Sequence, residues 1–485
     1  MNRSTFRIAR RALLAALGLL LGTALAGAQQ LNFSPFHQNG VYALGDTVGW
    51  TVTARPGQPV PTGTFSYRIT KNNLDLVKAG SFKLTQGKAT IATTYDEPAM
   101  LYVTVDYQAP PPAAGPPFAS IRQMDSNLKA LLEQSDPALK AIFDKYPNYA
   151  LVHPQFPDFS AFQEHRVATL GAAVEPAAIQ PAVARPADFD AFWAAQLAKL
   201  KQVPIDPVVT PESSSQPGVK VYRVKLASVG SHVQGYLARP DRPGKFPALV
   251  IYQWAGVYAL NKAWAANRAA EGWLTLDVDS HDLAPDQGAG VPTDYARIGD
   301  HSRDTSYFLK MYLRDTRALD YIQSRPDWDG KTIVVMGTSM GGQQSLVTAG
   351  LNPGRVTAVI VNEPSGADSN GNLHGRRAGY PNWDSADPQV MKTALYFDTV
   401  NFAAHITAPS LVAMGFIDTT APPVGIWADF NQIRGPKEVV PMIASDHNNR
   451  TPDKQGAFLQ RSEEVLATIV HGGRFIPNEA WKDYK

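Results

Sequence analysis

The segment most restrictive of what this chain can fold into is Ile333-Val334-Val335-Met336-Gly337-Thr338-Ser339-Met340-Gly341-Gly342. An apolar run of strand length ends on glycine, and a helical pattern begins at once. A strand that turns into a helix within two residues leaves no room for a Cβ at either flank. Gly337 and Gly341 supply that room, and Ser339 is left at the apex of the turn. A serine held there stands at the carboxyl edge of a sheet with a helix N-terminus behind it.

The surrounding pattern suits that turn. From residue 186 onward, apolar strands alternate with helical segments. The strands are expected at 248–253, 273–278, 333–337, 357–363, 410–415 and 438–443. The helices are expected at 188–200, 260–271, 305–325, 341–351, 424–434 and 456–471. Leu309, Tyr312, Thr316, Leu319 and Ile322 mark one face of the helix before Ile333. Alternation of this kind predicts an α/β fold, a doubly wound, mostly parallel sheet with helices on both faces.

A serine hydroxyl needs a base, and the base needs an orienting acid. In this topology the chain order is Ser, then Asp or Glu, then His. Asp418 follows the strand 410–415, and His447 follows the strand 438–443. Three strand ends therefore supply Ser339, Asp418 and His447 as candidate catalytic residues. Asp446 rivals Asp418, but an immediate neighbour of the histidine rarely reaches its far ring nitrogen. An oxyanion would be held by the backbone N–H of Met340. The second donor would come from the loop after 248–253, from Trp254 or Ala255. His281, Asp282 and Glu363 also sit near strand carboxyl ends and are candidates for the substrate pocket, with structural polar contacts the competing role for His281 and Asp282 and a solvated strand end for Glu363. Pro364–Pro388, rich in glycine and polar residues, is a candidate lid. Trp254 and Trp383 are candidates for stacking on sugars, with core packing the competing role. The spacing of His, Asp and Glu suggests no metal site, and no cofactor motif is present.

The N-terminal side reads differently. Arg3, Arg7, Arg10 and Arg11 precede an apolar run from Ala12 to Leu25, and Ala26-Gly27-Ala28 fits a cleavage site. This is the pattern of a secretory signal peptide, 1–28, and it predicts a secreted or periplasmic protein. The 45 Lys+Arg of the chain, less those four, leave 41 against 43 Asp+Glu, a net of −2. Such a surface gives no footing for nucleic acid. No run beyond the leader is long enough to span a membrane. Without cysteine, disulfides, thiolate metal sites and a cysteine nucleophile are excluded. Residues 29–108 carry short alternating runs at 48–52, 64–70, 81–84, 89–94 and 100–107, with turns at Lys71-Asn72-Asn73 and Gln86-Gly87. They predict a small Ig-like β-sandwich, either a spacer or a carbohydrate-binding module. Residues 109–185 open on a stiff Pro-rich stretch to Pro117 and include a helical pattern over Leu128–Phe143. They are either a linker or an insertion into the β unit, and Phe162–Ala173 is a candidate further strand. The catalytic unit is expected over 186–475, with a tail at 476–485.

Several segments resemble the acetyl xylan esterase / cephalosporin C deacetylase family, carbohydrate esterase family seven. They are Ala187–Trp193, Val203–Val208, Tyr307–Asp320, Tyr396–Ala403 and Gly435–Glu438. The resemblance covers about 186–475. It implies an α/β-hydrolase fold, a serine mechanism and removal of small acyl groups, usually acetyl, from sugar hydroxyls. On it, Ser339, Asp418 and His447 fall at the family's catalytic positions and the partner is an acylated carbohydrate. It fixes no oligomeric state. The chain departs from the family where Met340 replaces the usual Gln after the serine. It departs again near Asp279-Ser280-His281, where an R-G-Q motif is missing, and at His447-Asn448, where the family has His-Glu. A serine peptidase of the same fold and an inactive polysaccharide-binding protein are the competing readings.

Overall fold

The computed structural model describes residues 31–108, 166–447 and 451–482. The expected leader 1–28, the Pro-rich stretch, the helical pattern at 128–143 and Asn448 lie outside the described residues.

Eight strands make the N-terminal β unit. They are β1 (Leu31–Pro35), β2 (Val41–Tyr42), β3 (Thr47–Ala54), β4 (Thr64–Lys71), β5 (Asp75–Phe82), β6 (Lys88–Thr94), β7 (Ala99–Gln108) and β8 (Arg166–Val174). Two sheets form, in the orders β1-β3-β6 and β2-β8-β7-β4-β5. Alternation along the strands explains their packing. Trp50, Val52 and Ile91 of the first sheet meet Phe65, Ile69, Leu101, Val103 and Ala172 of the second in one apolar core. The strand expected at 81–84 runs instead over Asp75–Phe82. It is an edge strand with no buried residue, so no apolar period marks it in the sequence. Arg166–Val174 pairs antiparallel with Ala99–Gln108. The β unit therefore extends beyond residue 108, and residues 109–165 connect two neighbouring strands of one sheet.

A third sheet has nine strands. Three antiparallel ones come first: β9 (Val208–Glu212), β10 (Val219–Ser228) and β11 (Ser231–Pro240). None of these three is among the strands expected from the sequence. Then come β12 (Phe246–Tyr252), β13 (Leu274–Asp279), β14 (Trp328–Thr338), β15 (Ala358–Asn362), β16 (Ser410–Gly415) and β17 (Lys437–Met442). These six are parallel, in the order β17-β16-β15-β14-β12-β13, and β13 joins β11 antiparallel. Their runs are almost wholly buried, as expected of strands covered on both faces. Helices α1 (Phe189–Lys201), α2 (Lys262–Glu271), α3 (Tyr307–Ser324), α4 (Met340–Leu351), α5 (Pro388–Ala394), α6 (Thr399–Ala403), α7 (Pro423–Gln432) and α8 (Pro452–Val470) connect and flank them. The chain leaves β12 for β13 on one side and returns to β14 on the other. A crevice opens at such a switch point, at the carboxyl ends of the strands. Among the described residues, no helix is long and apolar enough to cross a membrane.

The β unit packs against the loops at those carboxyl ends. Val41, Met100 and Ala173 join the same apolar cluster as Phe416, just past β16. The approach is close at Gly171, where a Cβ would lie 2.6 Å from the carbonyl oxygen of Phe416. Gly171→Ala should therefore force the two units apart. Chemical denaturation should show a loss of about 1–3 kcal/mol, the usual cost of overpacking a filled contact.

Candidate active site

The turn after β14 is as tight as its glycines require. A Cβ on Gly337 would lie 2.3 Å from the backbone of Gly341, and one on Gly341 would lie 2.2 Å from the carbonyl oxygen of Tyr252. Ser339 takes φ 57° and ψ −123°, a conformation that costs a non-glycine residue about 1–3 kcal/mol. Neighbouring backbone holds it there. Ser339 N–H donates to Asn362 (2.9 Å), and its carbonyl accepts from Gln343 (2.9 Å) and Ser365 (3.1 Å).

The side chain of Ser339 meets a hydrogen-bonded chain. Its Oγ is 2.8 Å from His447 Nε2, and His447 Nδ1 is 2.7 Å from Asp418 Oδ2. The other oxygen of Asp418 accepts from the backbone N–H groups of Thr420 (2.7 Å) and Ala421 (2.8 Å). Asp418 is fully buried and its carboxylate is engaged at both oxygens. Asp446, its rival in the sequence, points to solvent. The loops after β14, β16 and β17 thus bring Ser339, Asp418 and His447 together. The arrangement can draw the proton from Ser339 to the imidazole while Asp418 steadies the imidazolium. Glu363, Asp418 and His447 also place ligand-type atoms within 4.8 Å of one another. With Ser339 donating to Nε2, the ring proton sits on Nδ1, which leaves no nitrogen lone pair for a cation.

Met340 opens α4, so its N–H has no intrahelical acceptor. The facing loop after β12 is fixed by buried amides that the sequence reading missed. Gln253 Oε1 accepts from Ser280 N–H (2.9 Å). Gln344 Nε2 donates to the carbonyls of Gln253 (2.9 Å) and Met340 (3.2 Å), and Ser280 Oγ donates to Gln344 Oε1 (3.0 Å). The clue was Gln343-Gln344, two polar residues on the inner face of a buried helix. Trp254 and Ala255 lie on this loop. Met340 itself is buried, and its sulfur lies 3.4 Å from Tyr295 Oη and 3.3 Å from Tyr380 Oη, two hydroxyls that are hydrogen-bonded to each other at 2.6 Å.

The three pocket candidates take other positions. His281 is 3% exposed. Its Nε2 is 3.0 Å from the carbonyl of Gly256, and its Nδ1 is 3.0 Å from Tyr307 Oη. Since a carbonyl only accepts, Nε2 carries the proton and Nδ1 accepts from the tyrosine. His281 thus anchors the loop after β12 and does not line a pocket. Burial lowers its pKa to about 4 and raises that of Tyr307 to about 12. Asp282 is turned to β11, where it accepts from His232 N–H (2.9 Å) and Gln234 Nε2 (3.0 Å). Glu363 is fully buried behind His447, where burial and the charge of Asp418 raise its pKa to about 8.

The candidate lid is tied down. Gly366 N–H donates to Tyr380 O, Tyr380 N–H to Thr420 O, and Arg377 N–H to Asn72 O at the β4–β5 turn. Asp398 accepts from the N–H groups of Asp368 and Ser369. These backbone bonds hold the segment in place. Trp383 is core, packed near Phe308 and Phe397. Trp254 packs on Tyr258 and Trp264. A cavity of about 480 Å³ is lined by Gln180, Arg185, Asn401 and Arg434 among others. It shares no residue with the Ser339 chain of bonds.

Known proteins resemble this chain over the same span. The acetyl xylan esterase (AXE1) family model matches residues 177–368 and 380–461. The acetyl esterase Axe7A of Xylanibacter ruminicola is 33% identical over 289 residues, covering 56% of this chain and 66% of the relative, just under two thirds of its length. The solved acetyl xylan esterase from Paenibacillus sp. R4 superposes with a TM-score of 0.52 at 26% identity, over 60% of this chain and 98% of that one. Acetyl xylan esterase 1 from Thermoanaerobacterium sp. JW/SL YS485 shares the fold, with a TM-score of 0.52 at 20% identity, over 60% of this chain and 97% of that one.

His281 is neutral in the fold and takes up a proton more readily once unfolded, because its folded pKa is the lower one. Its contribution is present above about pH 6.5 and is lost as pH falls towards 4. Compared with His281→Gln, the parent should lose about 2 kcal/mol more unfolding free energy between pH 7 and pH 5. Denaturant titrations of both proteins at each pH measure the difference.

Proposed function

The chain belongs to the acetyl xylan esterase family, and from that premise we propose that it is an exported serine esterase that removes small acyl groups, chiefly acetyl, from carbohydrate hydroxyls. The observation that carries this reading is the continuous chain from Ser339 Oγ through His447 to Asp418, at 2.8 and 2.7 Å, on a strained strand–helix turn. All three residues fall within the spans matched by the family.

In this reading His447 Nε2 takes the Ser339 proton as Oγ attacks the ester carbonyl. The negative charge that develops on the carbonyl oxygen is met by Met340 N–H and by an N–H of Trp254 or Ala255. His447 then protonates the departing sugar oxygen, and the acyl group stays on Ser339. Water enters, gives its proton to His447 and attacks the acyl-enzyme. Collapse returns the proton to Ser339 and releases the carboxylic acid. Asp418 holds the ring and stabilises the imidazolium throughout. Backbone donors serve the oxyanion, so Met340 in place of the family's Gln leaves this step intact. The Arg-rich leader at 1–28 supports export. Two sheets sharing one core support an Ig-like docking role for the β unit.

Acetate release from acetylated xylan and p-nitrophenyl acetate tests the reading. Ser339→Ala should lower the rate by about 10⁴-fold or more. Undiminished acetate release by that variant would sink the assignment. Amine release from peptides without acetate release would indicate a peptidase instead.

A further inference from the structure

We propose that Glu363 is a positioning residue for the same reaction: it acts as a neutral acid whose proton bridges to Ser445 and holds the turn that presents His447. The inference rests on the serine-esterase reading and adds a second carboxyl to its apparatus.

Glu363 follows β15, at a strand end between those that carry Ser339 and Asp418. It is fully buried, with φ +46°, in the left-handed region that side chains seldom adopt. Its N–H donates to Ala413 O (2.8 Å). Oε1 lies 3.0 Å from Ser445 Oγ, and Oε2 lies 3.0 Å from Gln455 Nε2 and 3.9 Å from His447 Nδ1. Gly415 leaves the space, since a Cβ there would come within 2.7 Å of Oε1.

The contacts of Ser445 and Gln455 support the neutral acid. Ser445 has one hydroxyl hydrogen and two close oxygens. One is the carbonyl of Asp446 at 2.9 Å, which can only accept. In the proposed state the hydroxyl hydrogen goes there. The contact with Glu363 Oε1 then needs a proton on the carboxyl. Oε2 remains an acceptor for Gln455, whose own Oε1 accepts from Asn362 (3.1 Å). Every contact of the carboxyl is satisfied when Glu363 is protonated. An ionised Glu363 would draw the Ser445 hydrogen away from Asp446. It would also put a second negative charge beside Asp418 in a buried place.

The titratable groups that face it are Asp418, His447 and Asp446. Burial and the Asp418 charge place its titration at about 8. Ser445 is also bound through its backbone, donating to Met442 O (3.0 Å) and accepting from Ile417 N–H (3.2 Å). The acid therefore pins β15 to the turn two residues ahead of His447. It does so without a second anion competing with Asp418 for the ring.

The test follows the rate of Ser339 labelling by a fluorophosphonate probe and kcat/KM for p-nitrophenyl acetate. Both are measured between about pH 6 and 9.5 for the parent, Glu363→Gln and Glu363→Ala. The Gln amide can donate to Ser445 and accept from Gln455. That variant should stay within about threefold of the parent at pH 7, while Glu363→Ala falls about tenfold or more. The parent should show an inflection near pH 8 that Glu363→Gln lacks. A parent without that inflection, or a Gln variant that keeps it, overturns the proposal. So does a Gln variant that collapses at pH 7, because an ionised carboxylate is then required. If Glu363→Ala does not fold, the Gln comparison alone decides. A parent whose Ser339 resists the probe at every pH indicts the esterase reading instead.

Discussion

The site depends on one backbone conformation, that of Ser339. Its left-handed turn exists because β14 approaches α4 at Gly337, and α4 approaches β12 at Gly341, within distances that only glycine tolerates. Relaxing that turn would swing Oγ off the line to His447. The strain is small beside the burial of the flanking elements. Val334, Val335, Leu346 and Val347 are all fully buried, and at roughly 1.5–3 kcal/mol each they outweigh the turn.

Around that turn the protein uses buried polar groups more than apolar contacts to fix its loops. Gln253, Ser280 and Gln344 lock the loop after β12 to the helix behind Ser339. His281 anchors the same loop as a neutral ring. Asp418 sits against two backbone N–H groups and the imidazole. A network of this kind is costly unless every member is paired, and for that reason it specifies one geometry. Fixed dipoles aimed at the reacting atoms need no reorganisation during the reaction.

The β unit is part of this support. It reaches the site at two places, through Gly171 against Phe416 and through the β4–β5 turn. There Asn73 Nδ2 donates to the carbonyl of Asp418 (3.3 Å), and Asn72 O accepts from Arg377 N–H (3.0 Å). The carbonyl belongs to the residue that orients the imidazole. The extra unit is thus joined to the hydrolase sheet at its working edge.

The sequence alone determined the strand–turn–helix at Ser339, the alternating elements from 186 onward and the chain order Ser339, Asp418, His447. Those features live in local patterns: apolar periods, paired glycines, polar residues just past strand ends. It did not reveal the edge strand Asp75–Phe82, whose exposed faces carry no period, nor β9–β11. It left open whether residues 109–185 lie inside the β unit, which the pairing of β7 with β8 decides. It placed His281, Asp282 and Glu363 near the right strand ends but left open whether they line a pocket or make structural contacts. Which way a side chain turns at a strand end is set by partners distant in the sequence. Glu363 meets Gln455, and His281 meets Gly256 and Tyr307. The tertiary structure alone brings those partners together, because buried polar groups must find hydrogen bonds wherever the packed chain supplies them.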